Sequence, residues 1–412
     1  MPPAHAKLTP RDAAIAIVRQ LRERGHAAYF AGGCVRDELL GLEPKDYDVA
    51  TDATPDDIRS LFRRTASVGA SFGVMLVRDY GPTTEVATFR TDGVYSDSRR
   101  PDEVRFTTAE RDAERRDFTI NAMFLDPLAP DGHQIIDFVG GQQDLEHRVL
   151  RAVGDPEDRL REDHLRALRA IRFAARFGLV IDPLTTDAIC AHASQLAGVS
   201  IERIGDEVRK MMSSPTRPRA AELLQSHGLD GAIFRTHSIT PGPVALTGLP
   251  DSANAPTALA AWAFDRLGSA VLDHRAARDT EWHALLNLSN ADAEHFASVL
   301  GIAGRLINTW PSLTIAQRRR LAALEYAEDA LDLAEATKPG GWDSPRTEIR
   351  TLAADAIGLA PDPLITGEDL IALGITPGRG FKAILDTVYD AQLEGRAKTK
   401  DEARTLAQDA HK

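Results

Sequence analysis

Short apolar runs alternate with helical stretches in the first 150 residues of this 412-residue chain. Residues 27–31 are apolar, and the short runs at residues 74–77 and 85–89 contain β-branched side chains, which predicts strands. Residues 54–57 read Thr-Pro-Asp-Asp, with a capping hydroxyl, a proline at the first helical position and acids in the first turn. This combination predicts a helix start. The region should therefore form a small mixed sheet with helices.

Helical periodicity dominates after residue 150, and a chain of this length exceeds the roughly 250–300 residues that one hydrophobic core supports. The helical pattern is broken by Pro-, Gly- or Ser-rich stretches at residues 213–218, 238–243 and 338–341. We predict an α+β protein whose head is followed by an all-α neck, body and tail. These four segments are residues 1–150, 151–215, 216–340 and 341–412.

Charge and composition narrow the possible functions. The net charge is −12 and the isoelectric point is near 5.5, which argues against binding nucleic acid through bulk positive charge. Local arginine clusters would have to contact phosphates, although each cluster alone could be a solvated face. The two cysteines lack the spacing of a zinc or disulfide site. Without an apolar run of signal-peptide or bilayer length, a cytoplasmic protein with no membrane contact is expected.

The first candidate site combines a glycine turn with two acids. Residues 31–37 read A-G-G-C-V-R-D, and residues 45–49 read K-D-Y-D-V. The Gly32-Gly33 turn would let backbone N–H groups approach a triphosphate, while Asp46 and Asp48, two apart on a predicted strand, would point to one side and share Mg²⁺. A tight turn and solvated edge charge would explain either half alone, but together they predict nucleotidyl transfer.

Two further strings carry candidate chemistry in the head. Residues 115–122 read R-R-D-F-T-I-N-A, where adjacent arginines suit phosphate oxygens and the acid and amide suit ribose hydroxyls; a charged helix start is the alternative. Glu85, in the string T-E-V-A-T-F-R, could deprotonate an attacking 3′-hydroxyl or support metal ions. A structural ion pair of Glu85 with Arg90 or another arginine remains open.

The string R-E-D-H-L-R-A-L-R at residues 161–169 suggests base selection. Asp163 and Arg166 are three residues apart, so we predict that they share one face of a helix. The carboxylate could accept a hydrogen bond from the exocyclic amine common to cytosine and adenine, and the guanidinium could donate to cytosine's carbonyl or to a ring nitrogen. An ordinary surface ion pair between the two is the alternative.

In this order, these strings resemble the class II tRNA nucleotidyltransferases, the CCA-adding enzyme family that also includes bacterial poly(A) polymerases. The resemblance implies a polymerase-β-like nucleotidyltransferase head. It also implies template-independent, Mg²⁺-dependent addition of CCA to the 3′ end of tRNA from CTP and ATP, with release of pyrophosphate. Protein side chains, rather than a nucleic-acid template, would select CTP and then ATP.

The resemblance assigns roles residue by residue. Asp46 and Asp48 would bind the metal and, with Glu85, catalyse the reaction. Asp117 would contact the ribose, Arg116 the triphosphate, and Asp163 with Arg166 the base. The full set of implied nucleotide-binding residues is Gly32, Gly33, Arg36, Arg116, Asp117, Asn121, Asp163, Arg166 and Arg169.

Three other segments resemble family elements outside the nucleotide site. Residues 137–141 (D-F-V-G-G) match a head-to-neck element whose glycines would let the head move. Residues 92–101 are similar to a flexible segment tied to the switch from C to A addition. Residues 364–382 are similar to a tail signature that would contact tRNA or serve as a helix-packing joint.

Several alternatives to full CCA addition stay open. The chain could be an A-adding or a CC-adding enzyme, or a poly(A) polymerase. A non-catalytic RNA-binding protein on the same scaffold is a remoter alternative, which the presence of both Asp46 and Asp48 disfavours. The expected partners are the tRNA 3′ end, CTP and ATP, and no stable protein partner is implied.

Overall fold

The computed structural model describes residues 8–67, 73–92, 104–130, 133–236, 242–273, 281–378 and 380–411. Residue contacts divide the chain into two compact units. The first unit comprises Met1–Glu207 and Leu223–Arg235, and the second comprises Val208–Glu222 and Thr236–Lys412. The four-segment organisation stays a prediction.

The first unit contains a seven-stranded mixed sheet in the order β3-β4-β5-β2-β1-β8-β9. Its strands are β1 Ala28–Ala31, β2 Val49–Thr51, β3 Thr65–Ser67, β4 Val74–Val77, β5 Thr84–Thr88, β8 Phe124–Asp126 and β9 Gln134–Ile136. β2 and β5 pair in parallel, whereas the other neighbouring strands are antiparallel. A separate antiparallel pair consists of β6 Arg90–Asp92 and β7 Val104–Phe106. The predicted small mixed sheet is confirmed.

Short helices flank this sheet, and their starts follow local sequence signals. They are α1 Pro10–Glu23, α2 Gly33–Leu39, α3 Pro55–Leu61, α4 Ala109–Glu114 and α5 Gly141–Glu146, with a 3₁₀ turn at Thr119–Asn121. The predicted start at residue 54 is confirmed: the Thr54 hydroxyl caps α3, and Asp57 bonds back to the Thr54 backbone. One face of α1, including Ile17 and Leu21, is buried.

The rest of the described chain is mostly helical. The helices are α6 Pro156–Glu162, α7 Leu165–Phe177, α8 Pro183–His192, α9 Ile201–Met212, α10 Arg217–Ser226, α11 Leu229–Phe234, α12 Val244–Gly248, α13 Ala255–Leu267, α14 Trp282–Leu285, α15 Asn290–Thr309, α16 Ile315–Ala322, α17 Ala327–Thr337, α18 Asp343–Ala354, α19 Gly367–Ala372, α20 Phe381–Leu393 and α21 Lys400–His411. Short 3₁₀ turns occur at Ala193–Gly198, Ser269–Leu272 and Trp310–Ser312. One small exception is the parallel pair β10 Val149–Leu150 and β11 Val180–Ile181, whose strands are too short for a sequence pattern.

Aromatic and aliphatic side chains form the core of the second unit. The Trp282 ring packs edge-on against Trp262 and stacks on Phe296, with ring centroids 5.8 and 5.7 Å apart. A second cluster towards the C-terminus buries Leu370 and Val388 among other side chains. Among the described residues, no helix combines the length and apolar character needed to cross a membrane.

Candidate active site

Gly32 forms the bend between β1 and α2. Its φ of 75° lies in the region that favours glycine. A β-carbon at this position would also lie 3.0 Å from Nη1 of Arg116. The Gly32 N–H donates to the carbonyl oxygen of Met123, so the bend lies beside the chain that follows the Arg115–Asn121 string. The backbone conformation therefore favours glycine at this bend, and a β-carbon there would also press on the Arg116 side chain.

Asp46 and Asp48 lie in an extended segment just before β2, so their predicted placement on a strand is wrong. The N–H of Ala31 nevertheless donates to the carbonyl oxygen of Asp48 over 3.0 Å, which continues the β1–β2 ladder by one residue. Tyr47 is buried, and its hydroxyl donates to Glu38 over 2.8 Å. Side chains alternate along an extended chain, and both aspartates line the same cavity.

The third acid, Glu85, lies beside Asp48 because of the register between two neighbouring strands of the sheet. Val49 of β2 pairs in parallel with Val86 of β5, so the preceding residues Asp48 and Glu85 are neighbours. Glu85 forms no salt bridge with any residue that the structure describes, which disfavours the structural ion pair considered above. Burial, and then repulsion from Glu85 and Asp46, raises the pKa of Asp48 to about 7. The arrangement concentrates negative charge that a cation would neutralise.

These carboxylates fit a magnesium site in which the protein supplies only one or two of the ligands. Within the described ranges, no group of three or more His, Cys, Asp or Glu side chains is arranged to hold a metal ion by itself. Mg²⁺ usually keeps several waters and binds through one or two carboxylates together with substrate phosphates. Asp46 and Asp48 match that donor set, and the pKa of Asp48 is raised first by burial and then by the neighbouring carboxylates of Glu85 and Asp46.

A cavity of about 680 Å³ adjoins the three acids. It brings together every site residue that the sequence analysis named, from segments spread over about 140 residues of chain. These residues are Gly32, Gly33, Arg36, Asp46, Asp48, Glu85, Arg116, Asp117, Asn121, Asp163, Arg166 and Arg169. Their individual roles remain predictions.

The Arg115–Asn121 string follows the end of α4, rather than starting a helix. Arg116 binds the buried carboxylate of Asp112 over 3.0 Å. Asp117 pairs with Arg169 over 2.6 Å and accepts from the Asn121 amide over 3.2 Å. Burial alone would raise the pKa of Asp117, but Arg169 lowers it, so this carboxyl is held as an anion.

A hydrogen-bonded chain links this string to α2. Arg36 donates to the side-chain oxygen of Asn121, and the Asn121 amide donates in turn to Asp117. Arg36 is only 4% exposed and also pairs with Asp37 over 2.6 Å. The chain Arg36–Asn121–Asp117–Arg169 therefore orders one wall of the cavity.

The predicted shared helix face of Asp163 and Arg166 is wrong. Asp163 ends α6 with φ −155° and ψ 102°, and α7 begins two residues later. The Asp163 carboxylate accepts from the backbone N–H of Leu165, a local bond that competes with helix continuation. Its other oxygen pairs with Arg203 over 2.6 Å. Asp163 therefore lies between two helices, in an extended backbone conformation, and not on the helix that carries Arg166.

Arg166 has partners of its own. It pairs with Glu162 over 2.6 Å and donates to the carbonyl oxygen of Arg159 over 2.9 Å. No bond joins the side chains of Asp163 and Arg166 in the described structure, so the surface-ion-pair alternative is wrong. Both side chains line the cavity independently.

The cavity also contains residues that the sequence analysis did not select. Arg172, Phe173 and Arg176 line it. Together with Arg166 and Arg169 they follow steps of three and four residues along α7, the spacing of neighbours on one helix face. This spacing is visible in the sequence and could have identified these residues as part of the site.

Two comparisons of sequence place the head in a known family. Residues 28–151 match the model described as "Poly A polymerase head domain", and residues 178–238 match "Probable RNA and SrmB- binding site of polymerase A". The CCA-adding enzyme of Geobacillus stearothermophilus is 43% identical over 222 residues, which cover 54% of each chain. That of Bacillus subtilis (strain 168) is 44% identical over 212 residues, 51% of this chain and 52% of the relative. The aligned part thus spans about half the length of these curated relatives.

A solved structure extends the similarity along the chain. The Bacillus stearothermophilus CCA-adding enzyme in complex with CTP has a TM-score of 0.75 and 29% identity, with 98% of both chains covered. Residues 28–151 therefore match the poly(A) polymerase head-domain family, and the chain shares the fold of this solved CCA-adding enzyme along its length. The Thermotoga maritima CCA-adding enzyme complexed with tRNA_CCA shares the fold, with a TM-score of 0.67 and 19% identity over 98% of this chain and 97% of that one. These findings confirm the predicted resemblance to the CCA-adding enzyme family and the predicted fold class.

The glycine string at residues 31–37 and the aspartate string at residues 45–49, which carry the resemblance, both lie among the described residues. Residues 93–103 and Arg379 lie outside the described residues. The segment resembling the C-to-A switch, and part of the tail signature, therefore have no structural description.

Proposed function

We propose that the chain transfers nucleotides from CTP and ATP to the 3′ end of tRNA without a nucleic-acid template, completing CCA and releasing pyrophosphate. The observation that carries the proposal is the single cavity of about 680 Å³ that joins Asp46 and Asp48 to Asp163 and Arg166. An acidic end suited to metal-assisted transfer and a pair suited to base selection thus share one space. The relatives named as CCA-adding enzymes support the same activity.

The acids would organise the transfer step. Mg²⁺ held by Asp46 and Asp48 would supply positive charge at the α-phosphate and at the departing pyrophosphate. Glu85, the neighbour of Asp48, would accept the proton of the attacking 3′-hydroxyl. It forms no salt bridge in the described structure, so its carboxylate does not have to leave a partner first.

Base choice would fall to Asp163 and Arg166. Arg203 and the Leu165 N–H hold one lone pair on each oxygen of Asp163, and each oxygen keeps another for an exocyclic amine. Arg166 is 9% exposed and anchored by Glu162, so its remaining donors are held in position. Uracil and guanine would present a carbonyl where Asp163 needs a donor, so two hydrogen-bond acceptors would face each other.

The sugar would bind beside the ordered wall described above. Asp117 is held ionised by Arg169, and Asn121 is oriented by Arg36, so both can face ribose hydroxyls. Gly32 would let the backbone approach the triphosphate next to Arg116. Because this reaction consumes free CTP, ATP and tRNA and needs no protein partner, we also infer a cytoplasmic location.

The decisive assay uses two RNA substrates with labelled CTP or ATP supplied separately, with and without Mg²⁺. We expect CTP alone to extend tRNA that lacks its end by two residues, and ATP alone to extend tRNA ending in C-C by one. Extension of only the C-C substrate would indicate an A-adding enzyme, and extension stopping after C-C even with ATP would indicate a CC-adding enzyme. A long A ladder would indicate a poly(A) polymerase, and no incorporation would leave an RNA-binding protein.

The base-selection role is tested by Asp163→Ala. Loss of one specific hydrogen-bonded contact costs about 1–3 kcal/mol of discrimination, so selectivity for CTP over UTP should fall by about 5- to 150-fold. Affinity for tRNA should stay the same. Asp158→Ala is the matched control, because Asp158 is an exposed acid on the neighbouring turns of α6 and does not line the cavity. Unchanged selectivity in Asp163→Ala would remove this residue from base choice.

A further inference from the structure

A small polar cluster contacts the chain between the two aspartates, outside the cavity. The Tyr47 hydroxyl donates to Oε1 of Glu38 over 2.8 Å, and Nε of Arg11 donates to the same oxygen over 2.9 Å. These three residues come from the segment before β2, from α2 and from α1, and none of them lines the cavity. We call them the anchor cluster.

The segment that carries the aspartates has few other attachments. Residues 43–46 are exposed or half-buried. The backbone of residues 43–47 forms no hydrogen bond with any residue that the structure describes. Backbone bonding starts only where the N–H of Ala31 donates to the carbonyl oxygen of Asp48. The Tyr47 side chain is therefore the main attachment of this segment before β2 begins.

Ring packing fixes the direction of the Tyr47 side chain. Its ring centroid lies 5.1 Å from that of Phe30 on β1, with 58° between the planes, and the Phe30 side chain is fully buried. The Arg11 guanidinium lies 5.8 Å from the centroid of the same Phe30 ring. Successive side chains of an extended chain point to opposite sides. Holding Tyr47 against β1 therefore directs Asp46 and Asp48 towards the cavity that both of them line.

We propose that Tyr47, anchored by Glu38 and Arg11, is a positioning residue for the two aspartates that would bind Mg²⁺. The inference rests on the proposed function and extends it to a residue outside the cavity. Groups that orient the ligands of a metal ion are typically worth about 10- to 100-fold in metal affinity. Tyr47 would act through the backbone and touches neither carboxylate, so we expect the lower end of this range. The hydroxyl is required as well as the ring, because the hydroxyl makes the bond to α2.

The test compares Tyr47→Phe with Tyr80→Phe in the full chain. Tyr80 is the matched control, because its hydroxyl also donates to a single side chain, that of Gln20 over 2.7 Å, and it does not line the cavity. The probe is Mn²⁺, whose affinity for the chain saturated with an uncleavable CTP analogue is measured by electron paramagnetic resonance.

The two variants should differ in metal affinity and not in stability. For Tyr47→Phe we expect about tenfold weaker Mn²⁺ binding and an equal rise in the Mg²⁺ concentration that gives half-maximal transfer, with KM for tRNA unchanged. Tyr80→Phe should bind Mn²⁺ as the parent does. Both variants lose one hydrogen bond, so their Tm should fall by similar amounts.

A second substitution, Glu38→Leu, tests the route of the effect. If the Tyr47 hydroxyl acts through Glu38, adding Tyr47→Phe to Glu38→Leu should weaken Mn²⁺ binding by less than about twofold beyond Glu38→Leu alone. Losses that multiply instead would show that Tyr47 acts independently of Glu38, and the anchor cluster would be refuted.

The remaining outcomes also decide the proposal. A lower Tm with Mn²⁺ affinity equal to that of the parent would make Tyr47 a structural residue only. An equal loss of Mn²⁺ affinity in Tyr80→Phe would show a general effect of reduced stability. A parent chain that binds no Mn²⁺ would overturn both this inference and the proposed function. A parent that binds Mn²⁺ but transfers no nucleotide would refute the proposed function alone, because the binding comparison does not need turnover.

Discussion

Gly141 lies where α5 packs directly against the 3₁₀ turn Thr119–Asn121. A β-carbon at residue 141 would lie 2.3 Å from the carbonyl oxygen of Thr119 and 2.9 Å from Cγ of Met123. The Thr119 hydroxyl also donates to Asp144 on the same helix over 2.7 Å, so helix and turn are tied together. Gly141→Ala would therefore force this packed contact apart.

The cost follows from the atoms involved. Overpacking a well-packed site costs about 1–3 kcal/mol, and a backbone carbonyl yields less easily than a side chain, so we expect about 3 kcal/mol. Since 1 kcal/mol shifts the Tm of a unit of 150–250 residues by about 2–4 °C, the first unit should melt about 6–12 °C lower. Differential scanning calorimetry measures this shift. Because the displaced turn carries Asn121, KM for CTP and ATP should rise as well.

Gly198→Ala is the matched control, because no atom lies within 4 Å of a β-carbon there and φ is not positive. Its Tm should stay within about 1–2 °C of the parent, as expected for a change of at most about 0.5 kcal/mol. If Gly141→Ala behaves like this control, the packing argument is refuted. Lower turnover without lost stability would instead favour the hypothesis that glycines 140 and 141 permit head movement.

Two further predictions concern stability alone. Thr54→Ala removes the capping box of α3 and should lower the free energy of unfolding, measured with urea, by about 1 kcal/mol. Ser60→Ala, which removes an exposed hydroxyl on the same helix, should lower it by at most about 0.5 kcal/mol. Equal effects of the two changes would contradict the capping argument. In the second unit, the hydrogen bond from Arg319 lowers the pKa of Asp355 to about 2 from 3.8. A depressed carboxyl pKa stabilises the fold above the unfolded-state pKa, and this contribution disappears as the pH falls from about 4 towards 2. The difference in unfolding free energy between the parent and Asp355→Asn should therefore be constant above about pH 5 and change below pH 4, and a pH-independent difference would contradict it.

Signals that act over a few residues gave reliable predictions. The cap at Thr54 was confirmed because its bonding partners lie within three residues. The alternation of Asp46, Tyr47 and Asp48 was correct even though the segment is not a strand, because period two belongs to any extended chain. The glycine bend at Gly32 was likewise correctly located, since its conformation is a property of the residue itself.

Predictions failed where distant partners compete with local preference. The three-residue spacing of Asp163 and Arg166 predicted that both lie on one face of a single helix. Asp163 instead leaves the helix, held by Arg203, a residue 40 positions later, as well as by its own local cap. The sequence of residues 161–169 contains no signal for a partner so far along the chain.

The sequence by itself determined the family resemblance, the mixed-sheet head, the helical remainder and the residue types of the candidate site, because short strings and periodicity encode these. Tertiary structure alone decided which groups meet. Glu85 lies beside Asp48 only through the parallel register of β2 and β5, and Arg36 and Arg176 come together only at the ring of Phe177. Charge interactions fall off with distance in space and not along the chain, so the site's electrostatics emerge only when the strands and helices have packed.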